Sequence, residues 1–248
     1  MQVQALTDIG RKRQVNQDFI YQSADPVGAF PNLFILADGM GGHKGGDFAS
    51  KYLTETMVGF ISKTQNSDII KVLRNAVRMS NTLIYEKSHS DPELNGMGST
   101  LVAAVISGGV LTAANVGDSR LYVIRDGIIQ VTRDHSYVEE LVEAGRMERN
   151  SEEYNKKKNI ITRAIGTEET VEADYFEVDL IKNDHILLCS DGLTNMVDDD
   201  TIPAIISGHG SLQYKVRTLV EAANENGGND NIAVILIRYE AKDGDAHV

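Results

Sequence analysis

The sequence predicts an α+β protein: two packed antiparallel sheets with a pair of helices outside each, a four-layer α-β-β-α sandwich. Three observations lead there. Apolar runs in the middle of the chain are joined by short glycine-bearing connections, Ser107-Gly108-Gly109 and Arg125-Asp126-Gly127, which mark hairpins rather than βαβ units. Two helical patterns follow the early strands and two more precede the last one. Stacking the sheets face to face with the helices outside buries all of these apolar faces.

Taken in order, residues 2–6 form a first strand, and residues 8–18 form a polar loop that carries Arg11, Lys12 and Arg13. Residues 19–23 alternate as a strand and pair with the apolar run 33–37. Between 47 and 62, Phe48, Tyr52, Leu53, Met57 and Phe60 recur at helical spacing. Ser67 caps a second helix running to Glu86, with Ile70, Leu73, Val77 and Ile84 on its apolar stripe. Strands follow at 99–106, 110–116, 120–124 and 128–132. Residues 135–144 read as a short helix. Residues 146–159 are polar, end in Lys156, Lys157 and Lys158, and are too long for a tight connection, so 136–159 is expected to be a mobile flap. Strands resume at 160–164, 171–178 and 185–189. Helices are expected at 201–207 and 211–226, the second stopped by Gly227-Gly228, and a last strand at 232–239. The expected organisation is one domain, 1–240, with a polar tail, 241–248.

A chain of 248 residues is long enough for a full core. Its 36 acidic and 24 basic residues give a net charge of -12. That balance argues against nucleic acid or an anionic membrane as partner, since both need clustered Lys and Arg. The single cysteine, Cys189, allows no internal disulfide and lies in an apolar run, where a buried inert thiol is expected. The first residues lack the pattern of a signal peptide, and no apolar stretch reaches the ~18 residues of a membrane span. A cytoplasmic monomer is expected.

The chemistry concentrates at the strand ends. The apolar run 33–37 ends in Asp38-Gly39, and 185–189 leads into Ser190-Asp191-Gly192. Asp230 enters the run 232–237, and Asp118 follows the run 110–116. Alone, each Asp-Gly is an ordinary turn. Together they place a carboxylate at one end of four separated strands, and a cluster of carboxylates needs cations to hold it together. Carboxylates with a backbone carbonyl, such as that of Gly39, are hard-oxygen ligands suited to Mg²⁺, Mn²⁺ or Ca²⁺ rather than zinc. The sequence lacks the Gly-Lys-Ser/Thr loop of nucleotide-binding enzymes and the Gly-x-Ser-x-Gly setting of a serine nucleophile.

The ordered set of motifs resembles the metal-dependent PPM (PP2C-type) protein serine/threonine phosphatases, in particular their bacterial branch. The matching residues are Arg13 with Asn16-Gln17-Asp18, Asp38-Gly39-Met40-Gly41-Gly42-His43, Gly98-Ser99-Thr100, Gly117-Asp118-Ser119-Arg120, Asp134-His135-Ser136, Thr162-Arg163-Ala164-Ile165-Gly166, Ser190-Asp191-Gly192-Leu193 and Asn229-Asp230-Asn231. The resemblance implies that Asp38, Asp191 and Asp230 bind metal, with Asp38 bridging two ions, and that Gly39 adds its carbonyl. It implies that Asp18 supports the site through water, that Asp118 and Asp191 form a third, weaker site, and that Arg13 binds phosphate. The implied cofactors are two to three divalent cations, Mn²⁺ or Mg²⁺. The implied partners are proteins phosphorylated on serine or threonine, including a cognate Ser/Thr kinase. Two positions depart from the pattern: Gln17 stands where many relatives have Glu, and Met40 where eukaryotic members have a histidine proposed as general acid. His43 is the candidate for that acid role here.

Two ions and Arg13 together would neutralise an anionic phosphoryl group and lower the pKa of the attacking water, giving single-step in-line hydrolysis of a phosphomonoester. Two rival readings share this sequence. A hydrolase of small phosphorylated metabolites would use the same centre, and a non-catalytic sensor would lack one of Asp38, Asp191 or Asp230.

Overall fold

Leu33, Ile35 and Ala37 pack on one side of their strand and Phe34 and Leu36 on the other, and all five are fully buried. A strand covered on both faces reads as a continuous apolar run instead of an alternating one. The same division repeats along the chain and produces the layers. The structure, a computed structural model, describes residues 1–149 and 151–240, without the side chains of His43 and Lys44. The expected tail, 241–248, lies outside the described residues.

One sheet has the order β1-β11-β10-β7-β8, built from β1 (Gln2–Asp8), β7 (Arg120–Ile124), β8 (Ile128–Gln130), β10 (His185–Cys189) and β11 (Ile232–Arg238). The other has the order β2-β3-β5-β6-β9, from β2 (Asp18–Ser23), β3 (Leu33–Met40), β5 (Leu101–Ser107), β6 (Val110–Val116) and β9 (Asp174–Asp179), with the short β4 (Gly98–Ser99) against β3. All pairings are antiparallel. Between the sheets lies an apolar slab that includes Phe34, Leu36 and Val102 from one and Leu121, Ile186 and Ile235 from the other. The outer face of the second sheet, with Ile35 and Ala103, packs on α1 (Gly42–Ile61) and α2 (Ile69–Ser90). The outer face of the first, with Leu187 and Val234, packs on α5 (Asp191–Thr194), α6 (Thr201–Ser207) and α7 (Leu212–Glu225). This is the α-β-β-α sandwich expected from the pattern. Among the described residues, no helix is long and apolar enough to cross a membrane.

Three local expectations need correction. Residues 160–164 form no strand. Their backbone touches two different places, with Tyr137 N–H on Ile160 O at 2.8 Å and Ile165 paired to Ser99 at 2.8 and 3.0 Å, so no single partner strand runs beside them. The strand expected at 171–178 begins only at Asp174, where pairing with Asn115 starts. The flap is not a bare loop. Besides α3 (Tyr137–Glu143), the short helix expected at 135–144, it contains α4 (Glu152–Lys157), and the two are tied by Tyr154, whose buried hydroxyl donates to Glu139 Oε1 at 2.7 Å. Smaller differences lie at helix ends: α2 is capped by Asp68, whose carboxylate accepts Lys71 N–H at 3.0 Å, and not by Ser67.

Candidate metal centre

Both sheets end at one edge of the sandwich, and the aspartates sit there. Asp18 opens β2 and lies directly opposite Asp38 near the end of β3. Asp118 follows β6, Asp191 follows β10, and Asp230 precedes β11. Asp38, Gly39, Asp118, Asp191, Asp230 and Arg13 all line one cavity of about 680 Å³. Asp18 does not reach it. It is buried behind Asp38, 5% exposed. His43, the candidate acid, falls in the first turn of α1, and its side chain lies outside the described residues.

The backbone around each aspartate is pinned by neighbours that carry hydroxyls or amides. Thr100 Oγ1 accepts Asp38 N–H at 3.0 Å, while Thr100 N–H and Ser99 Oγ donate to the Asp38 carbonyl at 2.8 and 3.1 Å. Thr100 Oγ1 also meets Ser119 Oγ at 2.8 Å, which ties the Asp38 and Asp118 loops. Ser190 Oγ donates to Asp18 Oδ2 at 2.7 Å and accepts Ala233 N–H at 2.9 Å. Asn231 accepts Gln17 N–H at 2.9 Å and donates to the Ile9 and Val15 carbonyls, each at 3.0 Å, so it holds the basic loop against the site. His135 Nδ1 accepts Gly117 N–H at 3.1 Å. Its proton therefore sits on Nε2, facing Asp174 at 3.1 Å.

Gly39 is required by sterics. A Cβ there would stand 1.9 Å from the Gly46 carbonyl oxygen, where the start of α1 crosses β3. Gly192 is held in the same way, 1.9 Å from the Asn231 carbonyl. Both glycines let an aspartate-bearing turn approach its neighbour.

The electrostatics are those of anions that outnumber their counter-charges. Burial, then repulsion from Asp191 and Asp230, pushes Asp18 up to about 8 in spite of Ser190. Burial, then Asp191 and Asp134, pushes Asp118 up to about 8. Asp191 rises to about 6, from burial and Asp230, with Arg13 and Lys158 opposing. Asp38 is held well above the usual carboxylate range by burial and by Asp18, Asp191, Asp118 and Asp230. Asp18 Oδ1 and Asp191 Oδ1 are buried with no hydrogen-bond partner. Buried unpaired carboxylate oxygens are costly, and a bound cation removes that cost.

Asp230 differs from the others. Its Oδ1 accepts Asn231 N–H at 2.8 Å and its Oδ2 takes Arg13 Nη2 at 2.8 Å. Among the described residues, no group of three or more His, Cys, Asp and Glu side chains is gathered tightly enough to hold an ion on its own. The donor set nevertheless fits hard divalent cations. Mg²⁺ characteristically keeps several of its waters and takes only one or two protein carboxylates. A cavity of this size, lined by four aspartates of which Asp191 keeps an oxygen without a hydrogen-bond partner, offers that arrangement.

The Protein phosphatase 2C family model matches residues 9–236. The chain belongs to the protein phosphatase 2C family. It is 38% identical over 250 residues to "Serine/threonine phosphatase stp" of Listeria monocytogenes, covering 97% of this chain and 96% of that one. The S. agalactiae serine/threonine phosphatase structure superimposes with a TM-score of 0.89 at 38% identity, covering 97% and 99% of the two chains. The catalytic domain of PstP in complex with two manganese ions gives a TM-score of 0.83 at 33% identity, covering 95% and 96%. Dependence on divalent metal is general in protein phosphatase 2C enzymes.

Some protein phosphatase 2C features of this chain were not legible as roles. Arg120 forms a forked ion pair with Asp134, at 2.7 to 3.0 Å, and so braces the strand after Asp118. Lys158 lines a second cavity of about 300 Å³ that also touches Asp118 and Asp191. The other two lysines of that run do not join it: Lys156 pairs with Glu152 at 2.5 Å and Lys157 with Glu153 at 2.8 Å, each one turn away on α4. The i, i+4 spacing of these pairs was visible in the sequence. The direction of Lys158, just past the helix end, was not.

Proposed function

We propose that this chain hydrolyses phosphoserine and phosphothreonine in proteins, with Asp38, Asp191, Asp230 and the Gly39 carbonyl holding two Mn²⁺ or Mg²⁺ ions. The observation that carries this is the convergence of half-buried carboxylates from both sheets, those of Asp38, Asp118, Asp191 and Asp230, on one cavity, with the Arg13 guanidinium among its walls. When bound, the ions supply the positive charge that lets water attack an anionic phosphoryl group. Asp18, fixed by Ser190, supports Asp38 from behind. Asp118 and Asp191, which share the second cavity, are suited to a third, weaker ion. Arg13 is half-exposed at the cavity and binds the phosphoryl oxygens with the two-point fork that Lys lacks. His43 is assigned the proton delivered to the departing alkoxide. The deciding experiment measures hydrolysis of a phosphothreonine peptide and of sugar phosphates with Mn²⁺, before and after chelation. Turnover of the peptide that survives chelation would overturn the reading, and faster turnover of sugar phosphates would move it to metabolites.

Arg13→Ala is expected to raise KM for p-nitrophenyl phosphate about 10- to 100-fold with little change in kcat, the loss of one charge-assisted contact made already in the ground state. A fall in kcat at constant KM would place Arg13 in the transition state alone.

The lysine run yields a more selective expectation. Lys158→Met should slow a phosphoprotein substrate by at most about tenfold, and p-nitrophenyl phosphate less, because Lys158, alone of these three lysines, faces the centre. The difference shrinks as salt rises. Replacing Lys156 and Lys157 should change little, since both are already paired on α4. Equal effects of the two changes would show that the charges act only on the general field.

A further inference from the structure

At the far end of the first sheet lies a cavity of about 330 Å³ with a different character. His185 opens β10, and Asp191 follows the end of that strand, so some six residues, about 20 Å, separate the cavity from the metal centre. Its wall includes His185, Lys215, Arg238 and the first turn of α7 at Ser211 and Leu212. We propose that this cavity binds a small tetrahedral oxyanion of the phosphate or sulfate class, held by Lys215, Arg238 and the first amides of α7.

Positive charge is concentrated here without a direct ion pair, Glu240 being the carboxylate whose charge Arg238 feels. Lys215 is 8% exposed, and its Nζ donates to the Ile206 carbonyl, which leaves its other hydrogens for a ligand. Arg238 Nη2 donates to the neutral Asn183 Oδ1 at 2.8 Å. The acidic neighbours are already engaged. Asp184 accepts a two-point fork from Arg125 at 2.9 and 2.7 Å. Glu240 takes the N-terminal amine at 2.8 Å and the Gln2 amide at 2.9 Å. Among the described residues, neither Lys215 nor Arg238 pairs with a carboxylate. A buried ammonium without a counter-charge is costly, and an anion in the cavity offsets that cost.

Two further features fit an oxyanion. The 14-residue α7 points its N-terminus into the cavity, where the Leu212 and Gln213 N–H groups have no intrahelical partner and favour negative charge, while the Tyr214 N–H is taken by Ser211 Oγ at 3.2 Å. His185 Nε2 is sealed from solvent without a hydrogen-bond partner. Its imidazole is pushed down to about 4 by burial and by Lys215 and Arg238, so it stays neutral and adds no repulsion. The chain's net charge is -12, so attraction here is local and not a property of the whole surface.

The test follows backbone amides by NMR in the Mg²⁺-loaded protein during titration with inorganic phosphate, sulfate and chloride at matched ionic strength. Phosphate and sulfate are expected to move Leu212 and Gln213 saturably, with a midpoint independent of the Gly41 and Gly42 signals that report the metal centre. Chloride should not. Arg238→Gln, at a partly exposed strand end, should weaken the α7 response at least fivefold and leave the Gly41 response in place. Lys215→Met should do the same. Because Lys215 is buried, the deciding variant is Arg238→Gln, whose remaining spectrum shows that it is folded. No saturable movement of the α7 amides, an equal response to chloride, or an unchanged response in Arg238→Gln would overturn the site.

Discussion

Asp38→Asn is expected to lower turnover of a phosphothreonine peptide by at least about a thousandfold. Losing a partner that only orients a metal ligand typically costs 10- to 100-fold, and losing one preorganised donor at a reacting centre costs up to about a thousandfold. Asp38 faces the cavity and interacts with Asp18, Asp191, Asp118 and Asp230, so its loss affects more than one neighbour. The fold should survive. Ser99 and Thr100 hold the backbone of Asp38, not its carboxylate, and Asn keeps the volume. The change also removes one charge from a repelling group, so the metal-free variant should melt higher than the metal-free parent. Calorimetry with chelator, beside the rate measurement, separates the two consequences. Near-normal turnover would remove Asp38 from the site, and a collapsed melting transition would make the lost rate uninformative about the metal.

The layers were legible because burial on both faces leaves a plain mark, as in the runs 33–37 and 185–189. The hairpins were legible because Gly108 and Gly109 have positive φ, 56° and 81°, which few other residues tolerate. The strap at 160–165 was not legible. Its apolar residues look like a strand, yet Ile160 is 51% exposed and the segment pairs with two partners in turn. Pattern reads the face of a strand, not whether an edge is free to receive it. In the site, the aspartates were visible as breaks in apolar runs. The Arg13–Asp230 pair spans 217 residues of sequence, and no local spacing announces it. Ser190 was visible only as a letter beside Asp191, although its hydroxyl serves Asp18, 172 residues away.

In the presence of chelator, the melting temperature should fall as pH is raised from 7 to 8, by roughly 2–4 °C for each carboxyl that holds its proton only in the fold. The sign follows from the direction of the shifts. An unfolded aspartate titrates near 3.9, so it is ionised throughout this window. In the folded, metal-free protein, Asp18 and Asp118 titrate at about 8, and Asp38 is also raised. The fold therefore binds protons that the unfolded chain has lost. Their stabilisation is complete below the unfolded value and disappears as pH rises through the folded one. Other groups are quiet here. His135 and His185 are lowered, which affects stability mainly below the ordinary histidine value of 6.5. Asp174, Asp198, Glu153 and Glu240 are lowered and act at more acidic pH. Cys189, raised to about 12, contributes in the same direction but only as the unfolded thiol ionises near 8.5, which is why the window stops at 8. Divalent cations should reverse the slope, because they compete with protons for the same oxygens and gain as protons leave. Asp18→Asn should flatten the metal-free slope. A metal-free melting temperature that stays level or climbs between pH 7 and 8 would mean that the carboxylates are ionised in the fold without a cation, and that the repulsion among them is relieved in some other way.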